Sequence, residues 1–154
     1  MIVWITGLSA AGKTTIGREV CHLWRSNEPN TVFIDGDEIR QLFKHDRVEN
    51  DYSIAARRVS SERMVSLCEW LDSQGINAVS ANIAMFSDIR RQNRQRYHQY
   101  YEVYLDVSLN TLRKRDPKGL YASYDAGKIK NVVGLDIPFE NAPTQDMTLK
   151  NNLS

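Results

Sequence analysis

The sequence has only two cysteines, no long apolar run and almost no excess of charge of either sign. Cys21 and Cys68 lie far apart in stretches predicted to be helical, so they form neither a metal-ligand pair nor a disulfide framework. No run approaches the roughly 18 apolar residues of a membrane span, and the first residues lack the basic segment and cleavage site of a secretory signal. With 20 basic and 19 acidic residues, the net charge of +1 gives no basis for binding a nucleic-acid polymer. We expect a reduced, cytoplasmic protein with neither a membrane nor a nucleic-acid partner.

Length and composition predict one globular domain over residues 1–154, with 42% apolar and 25% charged residues. Short apolar runs alternate with amphipathic stretches. Strands are predicted over residues 2–5, 31–35, 76–81 and 101–107, and helices over 13–25, 53–73, 88–97 and part of 108–116. This alternation predicts an α/β fold, a three-layer sandwich with a mostly parallel central sheet. The segment after Asp116 contains several glycines and prolines and is predicted to be loop.

Apolar spacing predicts the buried faces of two helices. The face of the first helix is predicted to comprise Ile16, Val20, Leu23 and Trp24. That of the second comprises Met64, Leu67, Cys68 and Leu71.

The strongest motif follows the first strand, where G-x-x-x-x-G-K-[ST] is matched by Gly7-Leu8-Ser9-Ala10-Ala11-Gly12-Lys13-Thr14. The two glycines allow a tight turn whose amide groups point at phosphate oxygens, and the helix N-terminus adds positive potential. Lys13 would supply a cation to the β- and γ-phosphates, and Thr14 would ligate Mg²⁺. A glycine turn could match by chance, but this motif follows a strand and opens a helix, which indicates a P-loop that binds a nucleotide. The motif alone does not distinguish a kinase from a GTPase or an ATPase. The N-K-x-D element of GTPases does not occur.

Two carboxylates follow the second strand in Asp35-Gly36-Asp37, with Arg40 one helical turn further on. At the end of a strand, one carboxylate can hold Mg²⁺ and the other can accept a proton from a substrate hydroxyl. Alternatively, an aspartate here caps a short helix, and Asp37 could serve in that way.

A cationic stretch with a glycine, Arg115-Asp116-Pro117-Lys118-Gly119-Leu120-Tyr121, follows the last predicted helix. Such a loop could close over a bound nucleotide and exclude water, and it begins a lid-like region of about residues 115–143. The alternative is an ordinary solvated turn.

Together these elements resemble adenylylsulfate kinase (APS kinase). The P-loop, the Asp35-Gly36-Asp37-x-x-Arg40 element and the 115–121 stretch occur in that family's order, and a similar G-I-x-x-P-Y-E-x-P stretch is Gly134-x-x-x-Pro138-Phe139-Glu140-x-x-Pro143. The resemblance extends from Ile2 to about Pro143. It implies a P-loop NTPase fold of the nucleotide-kinase type. It also implies a kinase that transfers the γ-phosphoryl group of MgATP to the ribose 3′-hydroxyl of adenosine 5′-phosphosulfate (APS) in sulfate assimilation, usually as a homodimer.

The resemblance also implies roles for individual residues. Asp37 would be the base at the 3′-hydroxyl, with Lys13 and Asp35 completing the catalytic set. Thr14 and Asp35 would hold Mg²⁺. ATP would be bound by Gly7, Ser9, Ala10, Ala11, Gly12, Lys13, Thr14 and Thr15, with Arg115 on its phosphates. Acceptor contacts would come from Asp37, Arg40, Tyr52, Arg57, Ser60, Ile83, Ala84, Lys118, Gly119, Leu120 and Val132.

Departures from the family pattern cluster on the acceptor side. The family's Gly-Phe-Ser and its following Asp-Arg-x-x-Asn run correspond to Asp51-Tyr52-Ser53 and Ala56-Arg57, with Ser60 at the asparagine position. Its Ile-Ser-Pro-Tyr-Arg element corresponds to Ile83-Ala84-Met85-Phe86-Ser87. A phenylalanine that completes an aromatic clamp on adenine corresponds to Val132, so one stacking face, worth roughly 1–3 kcal/mol, is missing.

These departures leave three functions open. A divergent APS kinase could hold adenine by other contacts. A related kinase could phosphorylate the 3′-hydroxyl of another 5′-modified nucleotide, such as cytidine diphosphoramidate in capsule modification, because a pyrimidine needs a smaller clamp. A P-loop module could bind a nucleotide without catalysis, although Lys13, Asp35 and Asp37 are all retained. Arg90 and Arg94 either contact the acceptor or lie on a solvated helix face, and the tyrosines at 97, 100, 101 and 104 lie either in the core or at a subunit interface.

Overall fold

The computed structural model describes residues 1–43, 52–139 and 145–152. Asp51, Glu140 and Pro143 of the motifs above lie outside these ranges. The elements follow in the order β1 (Ile2–Thr6), α1 (Lys13–Arg25), β2 (Thr31–Asp35), α2 (Gly36–Leu42), α3 (Ile54–Ser73), β3 (Asn77–Asn82), α4 (Ser87–Arg96), β4 (Tyr100–Asp106), α5 (Leu109–Arg115), α6 (Leu120–Asp125) and β5 (Met147–Lys150). The strands and helices predicted before Asp116 are confirmed, and their ends shift by about one residue.

The strands form one sheet in the order β2-β3-β1-β4-β5, and each neighbouring pair is parallel. Thr6 lies opposite Asn82, and Asp35 lies opposite Ala81, so the carboxyl ends of β1, β2 and β3 meet at one edge. Open α/β sheets bind ligands at this edge. The predicted α/β class with a parallel central sheet is confirmed.

Apolar residues cover both faces of the sheet. One buried cluster joins it to α3 and α4 through Ile2, Trp4, Ile34, Met64, Val65, Cys68, Leu71, Ala78, Ile89 and Tyr97. A second joins the opposite face to α1, α5 and α6 through Ile5, Ala11, Cys21, Val79, Leu105, Val107, Leu112 and Tyr121. The sheet is therefore the middle of three layers. None of the helices within the described ranges is long and apolar enough to cross a membrane.

The buried face of α1 differs from the prediction at one position. Leu23 is 60% exposed, whereas Gly17 and Cys21 are buried. The helix packs tightly on the sheet at Gly17, where a Cβ atom would lie 2.6 Å from the ring of Phe33. Because this contact turns the small residues inward, Leu23 faces outward. The predicted face of α3 is confirmed, with Met64, Cys68 and Leu71 buried.

The segment after Asp116 contains more regular structure than predicted. The short helix α6 follows Gly119, whose φ is 63°, and its Tyr121 is buried. A parallel bridge joins Val133 to Ile137. β5 pairs with β4 although all four of its side chains are exposed. The sequence pattern missed β5 because pairing with a distant strand, rather than an apolar face, holds it in place.

An ion pair lies in the core between α4 and β4. Arg90 Nη1 is 3.1 Å from Glu102 Oε1, and both side chains are fully buried. The Tyr100 hydroxyl donates to the other oxygen of Glu102 at 2.9 Å. An acceptor contact by Arg90 is therefore not supported, because its side chain has no exposed surface. Tyr97 and Tyr104 are also buried, as the core interpretation of these tyrosines predicts.

Another arginine of α4, Arg94, attaches the start of β5 to the sheet. Arg94 donates through both terminal nitrogen atoms to the carboxylate of Asp146 at 3.0 Å. The same carboxylate accepts from the backbone N–H of Glu102 at 2.7 Å. Asp146, directly before β5, is therefore the structural partner of Arg94.

Candidate active site

The loop between β1 and α1 has the backbone of an anion-binding turn. Gly7, Ala10 and Gly12 all have positive φ, at 152°, 63° and 94°. A Cβ atom at Gly7 would lie 3.0 Å from the carbonyl oxygen of Leu105, so a larger residue does not fit there. Because α1 begins at Lys13, the amide groups of its first turn add to the positive potential of the loop.

Lys13 folds back over this loop. Its Nζ donates to the carbonyl oxygen of Leu8 at 2.7 Å. Burial lowers the pKa of Lys13 to about 8, while the carboxylates of Asp37 and Asp35 oppose this shift. The ammonium group is therefore held inside the turn, close to where phosphate oxygens would lie.

Thr14 and Asp35 bring two oxygen ligands together. Thr14 Oγ1 donates to Asp35 Oδ2 at 2.6 Å, and Asp35 is almost buried. Asp35 Oδ1 accepts from the backbone N–H of Asp37 at 2.8 Å and caps α2, so the N-cap of this helix is Asp35 and not Asp37. Hydroxyl and carboxylate oxygens suit a hard cation, and Mg²⁺ takes few protein ligands beside phosphates and water. This pair fits the predicted magnesium site.

Asp37 projects from the first turn of α2 and contacts the loop that follows α5. Lys118 Nζ lies 2.5 Å from Asp37 Oδ2, and both side chains are about two-thirds exposed. The hydrogen bond to Asp37 raises the pKa of Lys118. Two motifs that the sequence placed 81 positions apart are thus in contact.

The 115–121 stretch also rests on the P-loop. Arg115 Nη2 donates to the carbonyl oxygen of Asn151 at 2.8 Å, and its Nη1 lies 3.5 Å from the carbonyl oxygen of Ala10. The Tyr121 hydroxyl donates to the carbonyl oxygen of Ser9 at 3.0 Å. An ordinary solvated turn would not make these contacts. Tyr121 belongs to the predicted lid stretch, whereas no sequence motif indicates the contact of Asn151.

Two guanidinium groups flank the ring of Tyr52. The ring centroid is 5.1 Å from the Arg40 guanidinium and 5.4 Å from that of Arg57. Arg57 Nε donates to the carbonyl oxygen of Tyr52 at 3.0 Å, and its Nη2 donates to that of Asn131 at 2.9 Å. Burial and the neighbouring Arg40 lower the pKa of Arg57. Like charges held this close favour binding of an anion.

The remaining predicted acceptor residues differ in their exposure. Ser60 Oγ donates to the carbonyl oxygen of Ala56 within α3, and the carbonyl oxygen of Ile83 accepts from Thr6 Oγ1. Val132 is only 2% exposed, whereas its neighbour Asn131 lies on the surface. Val132 therefore offers no open face at this point. Ala84 (φ 48°) and Gly119 (φ 63°) lie outside the helices and strands, and Leu120 is half-buried. Thr15, a predicted ATP contact, is exposed in the first turn of α1.

A cleft of about 300 Å³ lies beside the first turn of α3. Its volume is at the small end of the range for ligand pockets. It is lined by Ile54, Met85, Phe86, Ser87, Asp88, Ile137 and Pro138. The cleft therefore borders the element in which the sequence departs most from the APS kinase pattern.

The family model for adenylylsulphate kinase matches residues 1–150. The chain belongs to the APS kinase family. Among its relatives, the cytidine diphosphoramidate kinase of Campylobacter jejuni is 34% identical over 98% of this chain and 86% of its own length. The adenylyl-sulfate kinase of Marinobacter nauticus is also 34% identical, over 90% of this chain and 69% of its own length.

Structural comparison agrees with this family assignment. The APS kinase of Mycobacterium tuberculosis, solved in complex with AMPPNP and APS, superposes with a TM-score of 0.84, at 27% identity over 99% of this chain and 89% of that one. This APS kinase family member is a phosphotransferase of the nucleotide 3′-kinase type, with ATP and Mg²⁺ as its cofactors. The alternative of a nucleotide-binding module without catalysis is not retained.

Proposed function

We propose that the chain transfers the γ-phosphoryl group of MgATP to the 3′-hydroxyl of cytidine diphosphoramidate. The observation that carries the reaction type is the meeting of the P-loop, the Thr14–Asp35 pair and the Asp37 carboxylate at one edge of the sheet. The choice of cytidine diphosphoramidate as the acceptor rests on the altered residues around Tyr52 and on the similarity to the relative from Campylobacter jejuni.

On the donor side, the loop amides and the Lys13 ammonium group bind the β- and γ-phosphates. Thr14 and Asp35 hold Mg²⁺, which neutralises charge on the phosphates when bound. Arg115, which already lies along the P-loop, contacts the phosphates from the opposite side. Ser9, Ala10, Ala11 and Thr15 complete the phosphate site. These groups stabilise the charge that develops on the transferred phosphoryl group.

On the acceptor side, Asp37 takes the proton of the 3′-hydroxyl. The oxygen then forms its bond to the γ-phosphorus while the bond from that phosphorus to the β–γ bridging oxygen breaks, and ADP leaves with the electron pair. Lys118 moves from Asp37 to the acceptor. Arg40 and Arg57 bind the anionic 5′ substituent, and Tyr52 stacks on the base.

The rest of the acceptor site is assigned to small or apolar groups. Ile83 and Ala84 would line it beside the cleft, Ser60 would form part of its wall with the buried Val132 behind that wall, and Gly119 and Leu120 would close it. We propose a single kinase domain over residues 1–154 that includes a lid-like region of about residues 115–143. We also place the enzyme in the cytoplasm, which fits its two free, buried cysteines, and expect a homodimer.

A smaller base is favoured by the lack of a second aromatic face. Val132 is buried where the family has a phenylalanine, so Tyr52 stacks on only one side of the base. Losing a stacking face costs a purine more than a pyrimidine because the purine has the larger ring system. APS is the second candidate acceptor, and it is favoured by the family model and by the Marinobacter nauticus relative.

The test compares the two acceptors directly. Purified protein is assayed with MgATP and cytidine diphosphoramidate, APS or no acceptor, following ADP release and identifying the 3′-phosphorylated product by mass spectrometry. We expect kcat/KM to be at least about tenfold higher for cytidine diphosphoramidate, equivalent to one stacking interaction. The reverse order would assign APS as the acceptor. Equal ADP release in all three reactions would overturn the kinase mechanism.

A further inference from the structure

One residue beyond β5 contacts two parts of the triphosphate site. Asn151 Nδ2 donates to the carbonyl oxygen of Ala11 at 2.9 Å. The backbone carbonyl oxygen of Asn151 accepts from Arg115 Nη2 at 2.8 Å, and its backbone N–H donates to the carbonyl oxygen of Asp106 at the end of β4. Asn151 therefore joins the sheet edge, the P-loop and the end of α5.

The bond to Ala11 constrains the P-loop backbone. In a trans peptide the carbonyl oxygen of Ala11 and the amide N–H of Gly12 point in opposite directions. Holding that carbonyl oxygen therefore fixes the direction of the Gly12 N–H. The asparagine amide also packs directly on Gly12, where a Cβ atom would lie 2.8 Å from Asn151 Nδ2.

The bond to Arg115 constrains a flexible cation. With Nη2 on the Asn151 carbonyl oxygen and Nη1 near the Ala10 carbonyl oxygen, the guanidinium group lies along the P-loop. A long side chain that is already ordered loses less conformational entropy when its ligand binds.

From these contacts we infer that Asn151 is a positioning residue for the triphosphate of ATP. Its side-chain amide acts through the Ala11–Gly12 peptide, whereas its backbone carbonyl oxygen, which a substitution leaves in place, holds Arg115; both contacts are on the donor side of the site. Its loss weakens the binding of ATP and leaves acceptor binding unchanged. The inference rests on the proposed donor site but not on the identity of the acceptor.

The experiment uses Asn151→Ala and Asn151→Asp, with Asn152→Ala as the matched control. Asn152 accepts through its side chain from the Ser108 backbone N–H and does not contact the P-loop in the described part of the chain. Steady-state KM is measured for ATP and for the acceptor, and the dissociation constant of AMPPNP is measured by calorimetry.

We expect Asn151→Ala to raise the KM for ATP and the dissociation constant of AMPPNP about three- to tenfold, the effect of one hydrogen bond. The aspartate has nearly the same shape but places a carboxylate oxygen against the Ala11 carbonyl oxygen, so it raises both values further. Asn152→Ala changes the KM for ATP and the dissociation constant of AMPPNP less than about twofold. In all three variants the KM for the acceptor stays within about twofold of the wild-type value.

Two results would overturn the inference. One is a KM for ATP within twofold of the wild type in both Asn151 variants. The other is an equal rise in the KM of both substrates together with a lower melting temperature, which indicates general loss of structure. If the wild type shows no acceptor-dependent turnover, the proposed function fails, and AMPPNP binding to the same variants still tests Asn151.

Discussion

Lys118 Nζ is bound to Asp37 Oδ2 at 2.5 Å, and this contact joins the loop after α5 to the corner after β2. Both side chains are largely exposed, so water competes for the pair and it adds little to the stability of the fold. An acceptor can therefore displace Lys118 at small cost. The carboxylate that we assign to proton transfer is thus accessible, and a cation stands beside it.

Asp37→Asn is expected to lower kcat about 10²- to 10⁴-fold, the usual contribution of a general base. The amide keeps the shape of the side chain but cannot take the proton, so the KM for the acceptor changes little. Steady-state kinetics with both substrates varied measure this split. Glu38→Gln is the control, because Glu38 lies one position further on α2 and binds exposed Arg18. Equal kcat values in the two variants would remove Asp37 as the base.

Thr14→Ala is expected to raise the Mg²⁺ concentration needed for half-maximal velocity, because it removes one of the two oxygen atoms that lie 2.6 Å apart. Thr14→Ser keeps the hydroxyl group and should restore most of the wild-type value. Velocity is measured against Mg²⁺ concentration at saturating ATP. An unchanged Mg²⁺ requirement in Thr14→Ala would place the cation elsewhere.

ATP affinity is expected to fall above pH 8, because burial lowers the pKa of Lys13 to about 8 and the ammonium group loses its proton there. The dissociation constant of AMPPNP should rise about tenfold per pH unit above 8. Over the same window the Lys13 contribution to the free energy of unfolding rises, because the unfolded chain still binds the proton that the folded chain has released.

Calorimetry between pH 7 and 9.5 tests this profile, and Lys13→Arg is the control because a guanidinium group stays charged throughout. The arginine variant should bind more weakly but without the same dependence on pH. A flat wild-type profile, or an equal slope in both proteins, would contradict the role of Lys13.

Arg90→Met is expected to lower the free energy of unfolding by about 3–5 kcal/mol, because it leaves the fully buried Glu102 carboxylate without its cation. Urea denaturation measures the change. Arg113→Ala breaks the exposed pair with Asp125 and should lower the free energy of unfolding far less, because water screens that pair. If the free energy of unfolding falls equally in both variants, the buried pair stabilises the core no more than the exposed pair does.

The predicted elements before Asp116 and the P-loop were recognisable because their signals are local. The turn chemistry of Gly7 and Gly12, the strand before them and the amphipathic helix after them all lie within about 25 residues. The proximity of Thr14 and Asp35 was also predictable, because Asp35 ends a strand and the carboxyl ends of parallel strands share one edge.

The amino-acid sequence by itself determined the phosphate-binding turn, the acid pair and the alternation of strands with helices. Only the tertiary structure decided that Leu23 faces outward, that Val132 is buried, that Arg90 pairs with Glu102, and that Asn151 and Tyr121 touch the P-loop. These features depend on strand order and on which helix covers which face. Contacts between residues so distant along the chain form only when the layers pack, and no local pattern of residues encodes them.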